Sequence, residues 1–154
     1  MTTTRNIGFV LPKLSNHVFF TDLFQTIHEF IEKNPFDQIV IFNSFSEIAQ
    51  PYNIPIFHLS HAQFFTGDLF LFDIISVILT KSFPRANNRY IYAQDAPWKS
   101  HRGVAYSEWL DMYDQDNLEI IVKDKDLYDL YHKCWKKPKG ISESFKYEEI
   151  AQII

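Results

Sequence analysis

Apolar residues follow two spacings along the chain. In some segments they form short unbroken runs bounded by polar residues or proline, and in others they recur every three or four positions. The first pattern indicates strands that are buried on both faces, and the second indicates amphipathic helices. The unbroken runs predict strands at Asn6–Leu11, Asp37–Asn43, Ile54–Ser60, Arg89–Asp95 and Leu118–Asp124, with a short final strand within 137–142.

Helical spacing fills most of the segments between these strands. The apolar positions from Phe20 to Ile31 predict a helix that Ser15 or Asn16 caps and that the Asn-Pro pair at 34–35 ends. The same reasoning predicts further helices at Asp73–Phe83, Val104–Tyr113, 125–135 behind a capping Asp124, and 147–154.

The alternation of strands and helices sets the fold class. Strands that are apolar on both faces need helices on both sides, so we predict a three-layer, Rossmann-like α/β fold with a mainly parallel sheet. No linker composition divides residues 1–154, and this length suits a single domain. The segment Phe64–Phe72 contains a Thr-Gly-Asp turn signal, and we expect a hairpin or a loop there.

Composition adds an unusual aromatic content. Phe, Tyr and Trp make up 17% of the chain. Two interpretations remain open: some rings form a homodimer surface, or the core is simply rich in Phe.

Charge and cysteine content restrict the class of protein. The net charge of −4 opposes a broad nucleic-acid-binding surface. The single cysteine, Cys134, excludes a disulfide scaffold and a cysteine zinc site, and its place among apolar positions predicts a core residue. The amino terminus has no signal-peptide pattern and the apolar stretch 69–79 is too short to span a bilayer, so we expect a cytoplasmic protein without a membrane segment.

Polar residues follow the carboxyl ends of the predicted strands, where parallel sheets bind ligands. If these strands are parallel, their polar ends share one edge of the sheet. The residues that we select there are Asn16, His17, Asn43, Ser44, Asp95, Trp98, His101, Lys123 and Asp124. An alternative interpretation is that such residues only cap helices and turns.

Asp95 is the central residue of this group. It is expected to act as a catalytic base, to orient a hydroxyl group or to pair with a basic ligand, and Trp98 would then stack on a ring. Alternatively, Asp95 only accepts backbone hydrogen bonds in the turn before Pro97, and Trp98 only packs against the sheet.

Motifs for cofactors are not found. The loop after the first strand, LPKLSNH, lacks GxGxxG, and no Walker loop or GxSxG elbow occurs elsewhere. His58 and His61 are three positions apart at a strand end, a spacing that points them to opposite faces. We therefore expect neither a cofactor nor a metal site.

The carboxyl-terminal third, with YIYAQDAPW, LEIIVKDKDLYDLYHKCW and KPKGISESF, resembles the end of the amino-terminal Rossmann-like half of GT-B glycosyltransferases. The overall composition and the Tyr-x-x-Asp-x-x-Trp element at 92–98 are also similar to uncharacterised proteins of T-even-like marine phages. The resemblance implies that Asp95 and Trp98 line a cleft, with Lys123 and Asp124 on the neighbouring strand end. A phage origin would place the protein in the host cytoplasm.

The glycine-rich loop usual after the first strand of that family is not present, and its second Rossmann half is not within these 154 residues. Three hypotheses follow. The first is a glycosyltransferase-like domain that binds a nucleotide sugar, another small polar ligand or a nucleic-acid acceptor, with activity that needs a partner domain or an oligomer. The second is a non-enzymatic interaction module that forms a homo-oligomer through aromatic surface. The third is a hydrolase or phosphotransferase that uses Asp95 with His58, His61 or His101.

Overall fold

The computed structural model describes residues 4–12, 18–35, 37–44 and 52–154 of the chain. The predicted caps Ser15 and Asn16 and the predicted site residues Asn16 and His17 lie outside these ranges. The strands are β1 Asn6–Leu11, β2 Gln38–Asn43, β3 Ile56–His58, β4 Gly67–Leu71, β5 Ala86–Ala93, β6 Leu118–Val122 and β7 Gly140–Ile141. The α-helices are α1 Val18–Lys33, α2 Ile74–Thr80, α3 Tyr106–Tyr113, α4 Lys125–Cys134 and α5 Tyr147–Ile153.

The described strands form one seven-stranded sheet in the order β3-β2-β1-β4-β5-β6-β7. Each neighbouring pair is parallel. The prediction of a three-layer, Rossmann-like α/β fold is therefore confirmed. The chain builds outward from β1 in one direction and then from β4 in the other, so the strand order reverses between β1 and β4.

Helices cover the sheet on both faces. α1 and α5 pack on one face through residues such as Ile27 and Ile150. A 3-10 helix at Leu59–Phe64, α2, α3 and α4 pack on the other face, where Val77, Trp109 and Tyr131 are buried. α1, α3 and α4 each contribute an apolar stripe, as their sequence spacing predicts, whereas α2 buries Val77 together with Ser76 and Thr80.

Most aromatic rings lie in these two cores. On the first face, Phe145 is 4.9 Å from Phe72 and 5.0 Å from Tyr92, measured between ring centroids. On the second face, Trp98 contacts Tyr131 edge-to-face at 4.8 Å. A core rich in aromatic residues thus accounts for most of the unusual composition, and the large aromatic side chains exposed in the described segments are Phe57, Phe64 and Tyr106.

The expectation of a hairpin or loop at Phe64–Phe72 is wrong. Residues Gly67–Leu71 form β4, a central strand that pairs with β1 and β5. The Thr-Gly-Asp turn signal marks the entry to the strand. Gly67 has a φ of 157° and approaches the Asn6 backbone closely, and the buried Asp68 accepts a 2.9 Å hydrogen bond from the Asn88 side-chain amide.

Two strand boundaries also differ from the predicted ones. β3 ends at His58 because the chain turns into the 3-10 helix, so His61 is helical. β5 begins at Ala86 and ends at Ala93, which leaves Asp95 in the following turn. The other predicted helices and strands are present, with ends displaced by a few residues. In the ranges that the structure describes, no helix is long and apolar enough to cross a membrane.

Candidate functional site

Asp95 lies just beyond the carboxyl end of β5, in the turn before a 3-10 helix at Pro97–Lys99. Its backbone carbonyl accepts a 3.1 Å hydrogen bond from the Tyr131 hydroxyl, which fixes the turn. Its carboxylate is exposed, and no described residue donates a hydrogen bond to it or pairs with it. The structure therefore assigns the turn-stabilising role to the Asp95 backbone and leaves the carboxylate available to a ligand.

A cavity of about 340 Å³ lies between the carboxyl ends of β4 and β5. We call it the β4–β5 cavity. Asp95 lines it together with Asp73, Gln94 and His101, and Tyr92 contributes to its wall. Two carboxylates, a carboxamide and an imidazole thus face one space, next to the point where the strand order reverses.

The His101 ring is held in one orientation. Its Nδ1 lies 2.8 Å from the Pro97 carbonyl oxygen, which can only accept a hydrogen bond. Nδ1 therefore carries the proton, and in the neutral ring Nε2 is the acceptor. This arrangement prepares Nε2 to accept a hydrogen bond or a proton from a bound molecule.

A second cavity, of about 460 Å³, lies between the carboxyl ends of β5 and β6. We call it the β5–β6 cavity. Gln94 and Asp95 line this cavity as well, with Lys123 and Asp124. Lys99 adds a second ammonium group and Asp126 a third carboxylate. Asp95 consequently stands between the two cavities, which together form the strand-end cleft.

Asp124 serves two purposes in the β5–β6 cavity. One oxygen, Oδ1, accepts a 2.8 Å hydrogen bond from the Leu127 backbone N–H and caps α4. The predicted cap is therefore confirmed. The residue lines the cavity at the same time, so capping and ligand contact are compatible at this position.

Two buried tyrosines lie beneath the cleft. The pKa of Tyr113 is raised to about 12, mainly by burial and to a smaller extent by the negative charge of Asp95. Burial also raises the pKa of Tyr131, with an added contribution from Asp95. The Tyr131 hydroxyl donates to the Asp95 carbonyl, so the 3.3 Å contact between the two hydroxyls makes Tyr113 the donor. Both tyrosines remain neutral supports of the turn around neutral pH.

The other predicted site residues lie outside the strand-end cleft. Asn43 is buried at the end of β2, and its Nδ2 donates a 2.6 Å hydrogen bond to the Leu11 carbonyl. Ser44 follows it and is exposed. β1 and β4 separate β2 from β5, a distance of about 14 Å at the usual strand spacing. Trp98 packs against four rings, those of Trp109, Tyr113, Tyr131 and Trp135.

His58 and His61 do not reach Asp95. His58 ends β3 and His61 follows it. This strand lies at the far edge of the sheet, with β2, β1 and β4 between it and β5. His58 Nδ1 contacts the Ser60 hydroxyl at 2.8 Å and caps the 3-10 helix. Of the three histidines considered as partners of Asp95, only His101 shares a cavity with it.

Sequence reasoning missed four polar residues of the cleft, which are Asp73, Gln94, Lys99 and Asp126. Asp73 directly follows the apolar run of β4 and caps α2 by accepting a 2.7 Å hydrogen bond from the Ser76 N–H. Ligands of parallel sheets bind at the carboxyl ends of strands, so Asp73 would have been selected if residues 67–71 had been assigned to a strand. Gln94 and Lys99 lie within the segment already selected, next to Asp95 and Trp98.

A larger cavity, of about 790 Å³, lies at the opposite edge of the sheet, near the amino ends of β1, β4 and β5. Its carboxylate, Asp68, already accepts from Asn88 and pairs with Arg5 Nε at 3.5 Å. The Asp37 carboxylate accepts a 2.9 Å hydrogen bond from the Arg5 backbone N–H. Because these polar groups bind one another, the strand-end cleft is the better candidate, although each of its two cavities is smaller than this one.

The strand-end cleft suits a small polar ligand. Carboxylates accept hydrogen bonds from hydroxyl groups, carboxamides both accept and donate them, and the two ammonium groups can donate to oxygen atoms of the ligand. Within the described ranges, no group of three or more His, Cys, Asp or Glu side chains is arranged to hold a metal ion.

Comparison with known proteins gives no match: no family model, curated protein or solved structure matches this chain.

Proposed function

We propose that this protein is a glycosyltransferase-like Rossmann domain that binds a sugar-bearing ligand, such as a nucleotide sugar, in the strand-end cleft. The observation that carries the proposal is the Asp95 carboxylate, which is exposed and unpaired among the described residues and lines both cavities of the cleft. Ligands of parallel α/β sheets bind in this region of the fold.

The polar groups around Asp95 favour a polyhydroxylated ligand. A carboxylate accepts hydrogen bonds from two adjacent hydroxyl groups, and Gln94 beside it both donates and accepts. Lys99 and Lys123 lie on the β6 side, beside Asp124 and Asp126, and their ammonium groups can donate hydrogen bonds to oxygen atoms of the same ligand. His101 lies on the β4 side, with Nε2 able to accept from a further hydroxyl.

Thermal unfolding with a panel of nucleotide sugars and free sugars tests the proposal. A ligand that binds only the folded state raises the melting temperature, by about 5 °C or more at a hundredfold excess over Kd. Asp95→Asn should abolish the rise, because the amide accepts one hydrogen bond fewer and carries no charge. UDP-glucose is the first probe.

Asp111→Asn is the matched control. Asp111 is exposed on α3 and lines neither cavity, so the same change of charge there should leave the ligand-induced rise intact. If no member of the panel shifts the melting temperature, or if both variants reduce the shift equally, the proposal is wrong.

A second candidate function, a homo-oligomeric interaction module, rests on a different surface. α2 exposes Ile75, Ile78 and Leu79 at 45%, 54% and 42% of their full accessible area. Three exposed aliphatic side chains at helical spacing form an apolar patch of the kind found in protein contacts. This patch is aliphatic, whereas the sequence interpretation had relied on aromatic residues.

Analytical ultracentrifugation tests this candidate. Ile78→Lys should shift the distribution towards monomer, since a lysine cannot be buried unpaired in a contact. Ile141→Lys is the control, because Ile141 is 41% exposed on β7 at the edge of the sheet. A protein that stays monomeric at every concentration would refute the oligomer.

A further inference from the structure

A groove of about 600 Å³ lies outside the sheet, between the turn after β5, α3 and the end of α4. Trp98, Trp109 and Trp135 line it, and these are the three tryptophans of the chain. We call it the tryptophan groove. It shares His101 with the β4–β5 cavity and lacks Asp95, so it is a different site.

The rings of the groove hold one another in place. Trp135 stacks on Tyr106 at 5.3 Å with an angle of 25° between the rings, and Trp98 meets Trp135 edge-on at 5.3 Å. Trp98 is also edge-on to Trp109 at 6.4 Å. Rings that are already ordered lose little conformational entropy when a flat ligand packs against them.

The charge of the groove is opposite to that of the whole protein. Arg102 and Lys133 are exposed and line the groove with His101, and no Asp or Glu is among its described lining residues. The chain as a whole carries a net charge of −4. A local group of cations in an acidic protein attracts an anion to this site.

We propose that the tryptophan groove binds a nucleoside monophosphate. The nucleobase packs against the exposed ring of Tyr106 and the partly exposed rings of Trp98 and Trp135, which accept any base because every base has a flat π face. The phosphate lies against Arg102 and Lys133, and the Arg102 guanidinium can bind two phosphate oxygens at once. This site does not depend on the sugar-binding function proposed for the strand-end cleft.

Intrinsic tryptophan fluorescence of the full chain reports on this groove directly, because all three tryptophans line it. Titration with AMP should give a saturable change in emission. Adenosine should bind about tenfold more weakly, since it lacks the phosphate. The double variant Arg102→Gln/Lys133→Gln should weaken AMP binding by a similar factor and leave adenosine binding unchanged. Both side chains are exposed, so this variant should keep the fold, as circular dichroism would verify.

Lys81→Gln/Arg85→Gln is the matched control, because it removes the same two charges from exposed positions near the end of α2. It should bind AMP as the unmodified chain does. Asp95→Asn should also leave AMP binding unchanged, which separates this proposal from the one for the cleft. The absence of a saturable change up to about 10 mM AMP, equal affinities for AMP and adenosine, or an equal loss in the control would overturn the proposal.

Discussion

Arg89 is the most unusual residue of the core. Its side chain is 1% exposed, and no carboxylate in the described segments lies within ion-pairing distance. Nη2 donates to the side-chain oxygens of Asn117, at 2.7 Å, and of Gln115, and Nη1 donates weakly to Thr80. Nε has no described partner, and burial lowers the pKa of the guanidinium. Arg89 thus joins the ends of α2 and α3 to the start of β6.

Truncation of Arg89 should be costly. Arg89→Ala leaves a cavity and unpaired acceptors, so the free energy of unfolding should fall by about 3 kcal/mol. Arg89→Met fills the space and removes the buried charge, so it should lower the free energy of unfolding clearly less than Arg89→Ala does. Urea denaturation of both variants measures the difference. If both variants lower the free energy of unfolding equally, the hydrogen bonds of Arg89 contribute more to stability than the volume of its side chain.

Tyr113 and Tyr131 make stability depend on pH in the alkaline range. Burial raises the pKa of Tyr113 to about 12, whereas the unfolded value is about 10. Below about pH 9 both side chains are neutral in the folded and the unfolded state, so their contribution to the free energy of unfolding is complete. Above that pH the unfolded tyrosines ionise first, so the free energy of unfolding should fall as the pH rises towards the folded pKa.

The Tyr131→Phe variant isolates this effect. Burial raises the pKa of Tyr131 as well, so removal of its hydroxyl should make the decline in stability between about pH 9 and pH 11 shallower. Denaturation curves at several pH values measure the slope. An unchanged slope in Tyr131→Phe would contradict the assigned role of this residue.

At the scale of the element, polar residues after strands cap the helices that follow. Asp73 caps α2 and Asp124 caps α4, each by accepting from a backbone N–H. Asp124→Ala should lower the free energy of unfolding by about 1 kcal/mol, whereas Asp124→Asn, whose amide oxygen still accepts, should cost less. Thermal denaturation compares them. If the two variants lower the free energy of unfolding equally, the capping hydrogen bond does not account for the stability that Asp124 contributes.

β4 depends on the glycine at its start. A Cβ built on Gly67 would lie 2.3 Å from the Asn6 carbonyl oxygen, and its φ of 157° is rarely adopted by other residues. Gly67→Ala should therefore destabilise the protein by about 3 kcal/mol. Gly103→Ala is the control, since a Cβ there meets nothing within 4 Å, and it should change stability by less than about 0.5 kcal/mol. If both variants lose similar stability, a steric clash between the new Cβ and Asn6 does not explain the effect of Gly67→Ala.

The same strand shows what the sequence can and cannot reveal. β1, β2, β5 and β6 are predicted because their apolar runs are flanked by polar residues that agree with the strand assignment. β4 is missed because Gly67 and Asp68, which elsewhere signal a turn, are needed here for a close approach to β1 and for a buried hydrogen bond. Those requirements come from tertiary contacts, which local pattern does not contain.

At the scale of the molecule, the strand order decides which predicted site residues meet. The sequence places polar groups after each strand but does not give the order of the strands. The order brings Asp95, Lys123 and Asp124 together. It leaves Asn43 and Ser44 at the end of β2, with β1 and β4 between them and β5. It also separates His58 and His61 from Asp95, so His101 remains the partner in the β4–β5 cavity.

The same architecture separates two kinds of surface. The strand-end cleft is lined by carboxylates and ammonium groups, whereas the tryptophan groove is lined by rings and cations. The cleft lies at the edge of the sheet, and the groove lies on the helices that cover it. Ligands of different chemistry are therefore expected at the two places, and the variants proposed above distinguish them.

The most direct test of the central claim is to map ligand contacts by amide chemical shifts in solution. Titration of the isotope-labelled chain with UDP-glucose, or with the strongest stabiliser of the panel, should move the signals of Gln94, Asp95, Lys123 and Asp124. Signals on α5, on the opposite face of the sheet, should stay in place. Shifts that are confined to other regions, or no shifts at saturating ligand, would contradict a sugar-binding site at Asp95.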